Sequence, residues 1–266
     1  MLHLKFASCM AENSEAFCQA VADYVRARLG ISTEYVTGIP WQEREKLFDA
    51  GEVQVLWICG LPYVNKADLA LGYVELLAVP IPVGERYLDR PVYFSDVVVR
   101  SDSLYQTFAD LRGATWAYNE PRSHSGFNSV RAYLAEFGER DGFFGRVIEA
   151  GRHTLSLGMV LGGRVDGTAI DSTVLDWIVD RHHDIAEQIR VIETIGPSPI
   201  PPLVMSQRVA NEIRSQLRSL LLDMNRDPLG RAILARARIA RLVAAQDEDY
   251  DPIRRMARKA EPVLLA

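Results

Sequence analysis

Apolar and polar residues alternate at the start of the chain, Leu2, Leu4 and Phe6 against His3 and Lys5, the period of a strand with one covered face. The period then lengthens. Phe17, Val21, Val25 and Leu29 recur at four-residue steps behind Glu12-Asn13-Ser14 and ahead of Gly30, which predicts an amphipathic helix with a polar cap and a glycine stop. Residues 31–37 read as a second strand and 41–50 as a short helix. Residues 53–59 form the near-continuous apolar run of a strand covered on both faces. This alternation predicts an α/β unit built on a parallel sheet.

Residues 74–83 are largely apolar but hold Pro80 and Pro82, which predicts a sheet-edge strand or an extended connection. Residues 91–100 form another long β run. Beyond it the pattern gives a helix over 103–110, a strand over 114–118, and a helix over 126–137 with Phe127, Val130, Leu134 and Phe137 on one face. A strand over 146–149, a helix over 156–162, a strand over 167–170 and a helix over 173–180 follow. Pro197, Pro199, Pro201 and Pro202 exclude a helix from the next stretch and mark it as a linker. After it come a strand over 203–206 and helices over 208–222 and 228–245. Two extended crossings, near residues 95 and 198, bracket the middle of the chain, and the flanking parts are too short to stand alone. The economical architecture is two α/β lobes, one of residues 1–95 with 200–266 and one of residues 96–199, joined by a pair of strands.

At 266 residues, 48% hydrophobic and 24% charged, the composition is that of a globular protein and excludes a disordered or fibrous one. The net charge is −5, and the Lys and Arg residues are scattered except for a cluster from Arg226 to Arg241 that is interleaved with apolar residues. A duplex-binding surface carries a basic stripe, so no nucleic-acid partner is expected. Cys9, Cys18 and Cys59 are odd in number and contain no C-x-x-C pair, so neither a disulfide framework nor a zinc site follows from their spacing. No stretch approaches the ~18 apolar residues of a membrane span, so no direct membrane insertion is expected. The alternation over residues 2–7 differs from the continuous apolar core of an export signal. As written, the chain is therefore expected to carry no export signal.

The segment most suggestive of chemistry is Tyr118-Asn119-Glu120-Pro121-Arg122-Ser123-His124-Ser125-Gly126-Phe127, where a strand runs through a polar turn straight into a helix. The free amides of a first helical turn and the hydroxyls of Ser123 and Ser125 would converge there, as an oxyanion requires; a serine serving simply as the helix cap is the alternative. His153 opens the next helix and offers an imidazole donor. Asp171, at a strand's carboxyl end, either faces the same crevice or caps the helix that follows. His182-His183-Asp184 reads as a solvated helix end, because adjacent imidazoles on a helix point to different sides.

These residues together resemble the phosphate, phosphite and phosphonate-binding subunits of ABC importers. The resemblance rests on Cys59-Gly60-Leu61-Pro62-Tyr63, Tyr93-Phe94-Ser95, the Ser123-His124-Ser125-Gly126-Phe127 turn, His153 with Ser156, Gly163-Arg164-Val165-Asp166, and Tyr250-Asp251-Pro252-Ile253-Arg254. It implies a two-lobed type II periplasmic-binding-protein fold with two crossing hinge strands. It also implies a non-catalytic function, the clamping of a small phosphorus oxyanion for an ABC permease, without cofactor or metal. The implied ligand residues are Tyr63, Tyr93, Ser95, Ser123, His124, Ser125, His153 and Asp171. The family's turn usually carries Thr between the serines, and His124 is bulkier and able to charge. A carboxylate ~4 Å from a unit negative charge costs about 4 kcal/mol at an effective dielectric of 20, so Asp171 in the cleft would favour a ligand bearing a proton or an ammonium group over sulfate. The alternatives are an enzyme resembling the synthases of a thiamine pyrimidine precursor, for which Lys66 is the one lysine near a cleft motif, and an intracellular ligand sensor.

Overall fold

The computed structural model describes residues 2–69 and 73–265. The chain divides into two compact units, one running up to Val92 and resuming at Pro199–Tyr250, the other comprising Tyr93–Ser198 and the chain from Asp251 onward. The strands are β1 (His3–Ser8), β2 (Ser32–Tyr35), β3 (Val55–Trp57), β4 (Val74–Pro82), β5 (Val92–Arg100), β6 (Thr115–Tyr118), β7 (Arg146–Glu149), β8 (Gly167–Asp171), β9 (Ile189–Pro199), β10 (Leu203–Ser206) and β11 (Ile239–Val243).

In the first unit the sheet runs β11-β4-β10-β3-β1-β2. β1 is parallel to β2 and β3, as the strand-helix alternation requires, while β10 is antiparallel to both β3 and β4. The helix Glu15–Leu29 buries Phe17, Val21 and Val25 against this sheet, and Gly30 ends it at φ +67°, where its N–H reaches the Arg26 carbonyl. β4 is an interior strand, not the expected edge. Its first half pairs with β10 and its second half with β11, so Pro80 and Pro82 fall where β10 asks for no N–H. The expected helix over 228–245 stops at Arg236; after Arg238, at φ +56°, the chain continues as β11, which buries Ile239 and Leu242.

In the second unit the sheet runs β7-β6-β8-β5-β9. Its core holds Trp116 stacked on Phe144 at 4.5 Å, with Phe108 set edge-on to Tyr133. The predicted linker around residue 197 is β9, an edge strand of this sheet. The expected helix over 103–110 is absent: Asp110 accepts from the backbone of Gln106 and Thr107 and fixes a turn in place of a helix, leaving only the short 3-10 stretch Phe108–Leu111.

The division of the chain also departs from the expected lobe boundaries at its C-terminal end. The helix Asp251–Ala260 buries Ile253 and Ala260, Val263 and Leu265 enter the second unit's core, and Arg131 Nε donates to the Val263 carbonyl at 2.6 Å. The segment from Asp251 therefore belongs to the second unit, where the sequence reading placed it in the first.

Candidate functional site

β6 and β8 are parallel, and β5 runs antiparallel to β8 with Ser95 opposite Asp171. The carboxyl ends of β6 and β8 and the start of β5 therefore share one end of the second sheet, the end at which α/β sheets present ligand groups. β6 leaves Tyr118, passes Asn119, and enters a π-helical turn, His124–Asn128, that continues as the helix Ser129–Glu136.

The two serines of this turn have different tasks. Ser123 Oγ accepts from Gly126 N at 3.1 Å, so Ser123 is the helix cap, and its own hydroxyl proton remains for donation. Ser125 Oγ lies 3.2 Å from His153 Nε2. His153 opens the helix His153–Leu161, and its Nε2 also lies 3.4 Å from Asn119 Nδ2. Behind the turn, Ser129 Oγ lies 2.7 Å from the Ser125 carbonyl and 2.9 Å from Ser95 Oγ, which ties Ser95 to the back of the turn. A side chain at position 126 would have to displace its neighbours: a Cβ there would fall 2.1 Å from Asn119 Oδ1 and 3.3 Å from His153 Cε1.

Asp171 Oδ1 accepts from Thr173 N at 2.8 Å and from Thr173 Oγ1 at 2.6 Å, so it caps the helix Ser172–Arg181. Its carboxyl is only 3% exposed, and burial pushes its pKa up to about 6 against the pull of those bonds. His124 differs from expectation. Its ring is fully buried, with Nδ1 3.1 Å from Asn128 Nδ2 and Nε2 3.0 Å from Ser198 Oγ, and desolvation holds its pKa down at about 3. The ring is a neutral internal strut, which corrects the expectation of a chargeable arm beside the ligand. Tyr93, also fully buried, packs its ring 6.4 Å from that of His124.

Tyr63 belongs to the first unit. Its hydroxyl donates to Asp247 Oδ1 at 2.7 Å, its ring sits edge-on to Tyr250 at 4.6 Å, and it lines a pocket of ≈ 380 Å³ with Lys66, Glu75, Arg218 and Asp247. Lys66 is buried. Burial alone would lower its pKa, but hydrogen bonds to Asp49 at 2.6 Å and Glu45 at 2.9 Å raise it, so the amine is held as an ammonium between two carboxylates.

The second unit thus brings Ser95, Ser123, Ser125, His153 and Asp171 to one sheet end, with Tyr93 and the ring of His124 packed inside the same unit. Sequence reasoning missed Asn119, Asn128, Ser129 and Ser198. Asn119 was within reach of it, because it directly follows a predicted strand's carboxyl end. Ser129 falls one helical turn after Ser125, and Ser198 had no signal outside the fold.

Hydroxyls and helix-head amides converging without a lysine or arginine among them are suited to an oxyanion, since such donors complete its hydrogen bonds while the helix end supplies a favourable partial charge. The topology and this sheet-end site define the class: a type II periplasmic-binding-protein fold. A binding-protein component of an ABC phosphonate transporter from Pseudomonas aeruginosa is similar in structure, with a TM-score of 0.84, 17% identity, and coverage of 98% of this chain and 87% of that one. PhnD1 from Prochlorococcus marinus, solved with methylphosphonate, gives a TM-score of 0.83 at 15% identity over 98% of this chain and 99% of its own. In sequence, the phosphonates-binding periplasmic protein of Escherichia coli (strain K12) is 24% identical over 211 residues, 77% of this chain; the chain spans 60% of that relative's length. The family model described as ABC transporter, phosphonate, periplasmic substrate-binding protein matches residues 8–250, and the chain belongs to that family. Its members are transport proteins that bind substrate.

Proposed function

We propose that this chain is the solute-capturing subunit of an ABC-type importer and that it binds a small phosphorus oxyanion of the phosphonate class without catalysing a reaction on it. The observation that carries the reading is the Ser123–Gly126 turn, in which a capped helix head and the Ser125 hydroxyl meet the imidazole of His153. In this reading Ser123, Ser125 and His153 donate to the oxyanion, Ser95 holds the turn from behind, and Asp171 sets the charge of the ligand that is accepted. Tyr63 and Tyr93 are assigned as further binding residues, and a membrane permease as the partner. The Lys66 ammonium, held by two carboxylates, speaks against an amine-based enzyme on the same fold. Among the described residues no helix is long and apolar enough to cross a membrane.

The test is calorimetry at pH 7 with methylphosphonate, aminoethylphosphonate, phosphite, phosphate and sulfate. At least one phosphorus oxyanion is expected to bind far more tightly than sulfate. Ser125→Ala is expected to weaken that binding by at least about tenfold, the loss of one hydrogen bond to a charged group. Binding of none of them, or of sulfate as tightly as the rest, refutes the proposal.

A further inference from the structure

The hydrogen bonds of His124 to Asn128 and Ser198 form one line with a consistent proton direction. The Asn128 Nδ2 group can only donate, so His124 Nδ1, at 3.1 Å, is the acceptor and the ring proton sits on Nε2. Nε2–H then donates to Ser198 Oγ at 3.0 Å, and the Ser198 hydroxyl donates onward to Met256 Sδ at 3.9 Å. Asn128 is 3% exposed, Ser198 2% and His124 not at all, so water does not compete for these bonds. Ser198 is the residue at which the chain leaves the second unit, and Tyr93, whose ring packs 6.4 Å from the imidazole, is the residue at which it enters. The side chain at the middle of the serine turn is therefore hydrogen-bonded to Ser198 and packed beside Tyr93, two of the residues at which the chain passes between the units.

The geometry points to His124 as a positioning residue for oxyanion binding: the Asn128–His124–Ser198 relay holds the main chain of residues 123–126 so that the Ser125 hydroxyl and the first helical N–H groups stay aimed at one point. This inference rests on the function proposed above. It assigns His124 no contact with the ligand and gives the relay its effect through Ser125. A ring that merely fills space would affect folding and leave binding alone.

The experiment cuts the relay at either end without removing the ring. Ser198→Ala, Asn128→Ala and the double variant are titrated with methylphosphonate by calorimetry, alongside apo melting temperatures and long-range proton–nitrogen NMR of the His124 ring. Each single variant is expected to weaken binding about five- to tenfold, the loss of one neutral hydrogen bond, while Ser198→Thr, which keeps the hydroxyl, stays near the wild type. The double variant is expected to lose no more than the weaker-binding single variant, because both act through one ring. Asn128→Ala is also expected to move the ring away from a pure Nε2–H tautomer, and it supplies an independent cut if Ser198→Ala does not fold. Wild-type affinity in both single variants with only the melting temperature lowered overturns the inference, as do fully additive losses. Failure of the wild type to bind any of the phosphorus oxyanions overturns the functional reading itself, and this inference with it.

Discussion

Replacing Asp171 by asparagine isolates what it takes to keep a carboxylate at the buried end of β8. The side chain is 3% exposed, and burial raises its pKa from 3.8 to about 6; the hydroxyl and amide of Thr173 and the amide of Val174 oppose that rise, and the charge of Asp96 adds to it. Because the folded value lies above the unfolded one, the folded state binds this proton more tightly. The stability it brings is complete below pH 3.8 and is lost as the pH climbs through about 6. At 1.36 kcal/mol per pH unit, the gap from 3.8 to about 6 amounts to about 3 kcal/mol withdrawn from the fold at pH 8. Asparagine is neutral throughout and keeps an oxygen for Thr173, giving up only the charge-assisted part of the cap, about 1 kcal/mol. Asp171→Asn is therefore expected to be more stable than the wild type by about 2 kcal/mol at pH 8. That advantage shrinks through pH 6 and vanishes or reverses below pH 4. Urea unfolding of both proteins at half-unit steps from pH 3.5 to 8 reads this directly. A stability difference that does not change with pH, or one in which the wild type gains on the variant as pH rises, refutes the account of Asp171.

In the proposed function the same carboxyl sets the proton balance of binding. At pH 6.5 methylphosphonate is expected to bind with proton uptake and aminoethylphosphonate with less uptake or with release, measured by calorimetry in buffers of different ionisation enthalpy; equal proton counts for the two ligands would remove Asp171 from the ligand's surroundings. Gly126→Ala places a methyl 2.1 Å from Asn119 Oδ1 and so must displace the carboxamide that meets His153, at about 1–3 kcal/mol of overpacking. Adding Asn119→Ala is expected to restore the melting temperature, and a Gly126→Ala variant as stable as the wild type contradicts the packing. Ile253→Ala empties a fully buried site and is expected to lose about 2–5 kcal/mol, with hydrogen exchange accelerating in Ser129–Glu136 while Glu15–Leu29 stays protected. Equal acceleration in both helices would undo the assignment of the C-terminal segment to the second unit.

The serine turn was legible because its chemistry is local: a strand end, a polar turn and a helix start are written in about ten consecutive residues, and their physical consequences follow from spacing alone. The strands of the first unit were legible for a similar reason, since residues 3–8 and 55–57 carry their burial pattern in their own side chains. What failed was non-local. Pro80 and Pro82 argue for an edge only if a strand keeps the same neighbours along its whole length, and β4 changes partner between β10 and β11 just before the prolines. Ile239, Leu242 and Val243 fit the end of a helix until β4 supplies a ladder that the helix could not satisfy.

The site shows the same division between local and non-local information. From sequence, a histidine between two serines is a chargeable neighbour of the ligand, because nothing within ten residues says otherwise. Asn128 lies four positions away, but Ser198 lies seventy-four positions away. Only the second unit's fold brings that hydroxyl to Nε2 and closes the ring off from water, and the two effects reverse the expected chemistry. A ring with Nδ1 accepting and Nε2 donating has its hydrogen bonds made while neutral. A proton added to Nδ1 would set it against the Asn128 amide and place an unscreened charge in the interior. The residue that looked most able to change the charge of the site is thus the one the fold holds most firmly uncharged, and in the proposed function charge selection falls to Asp171, whose pKa burial pushes up to about 6.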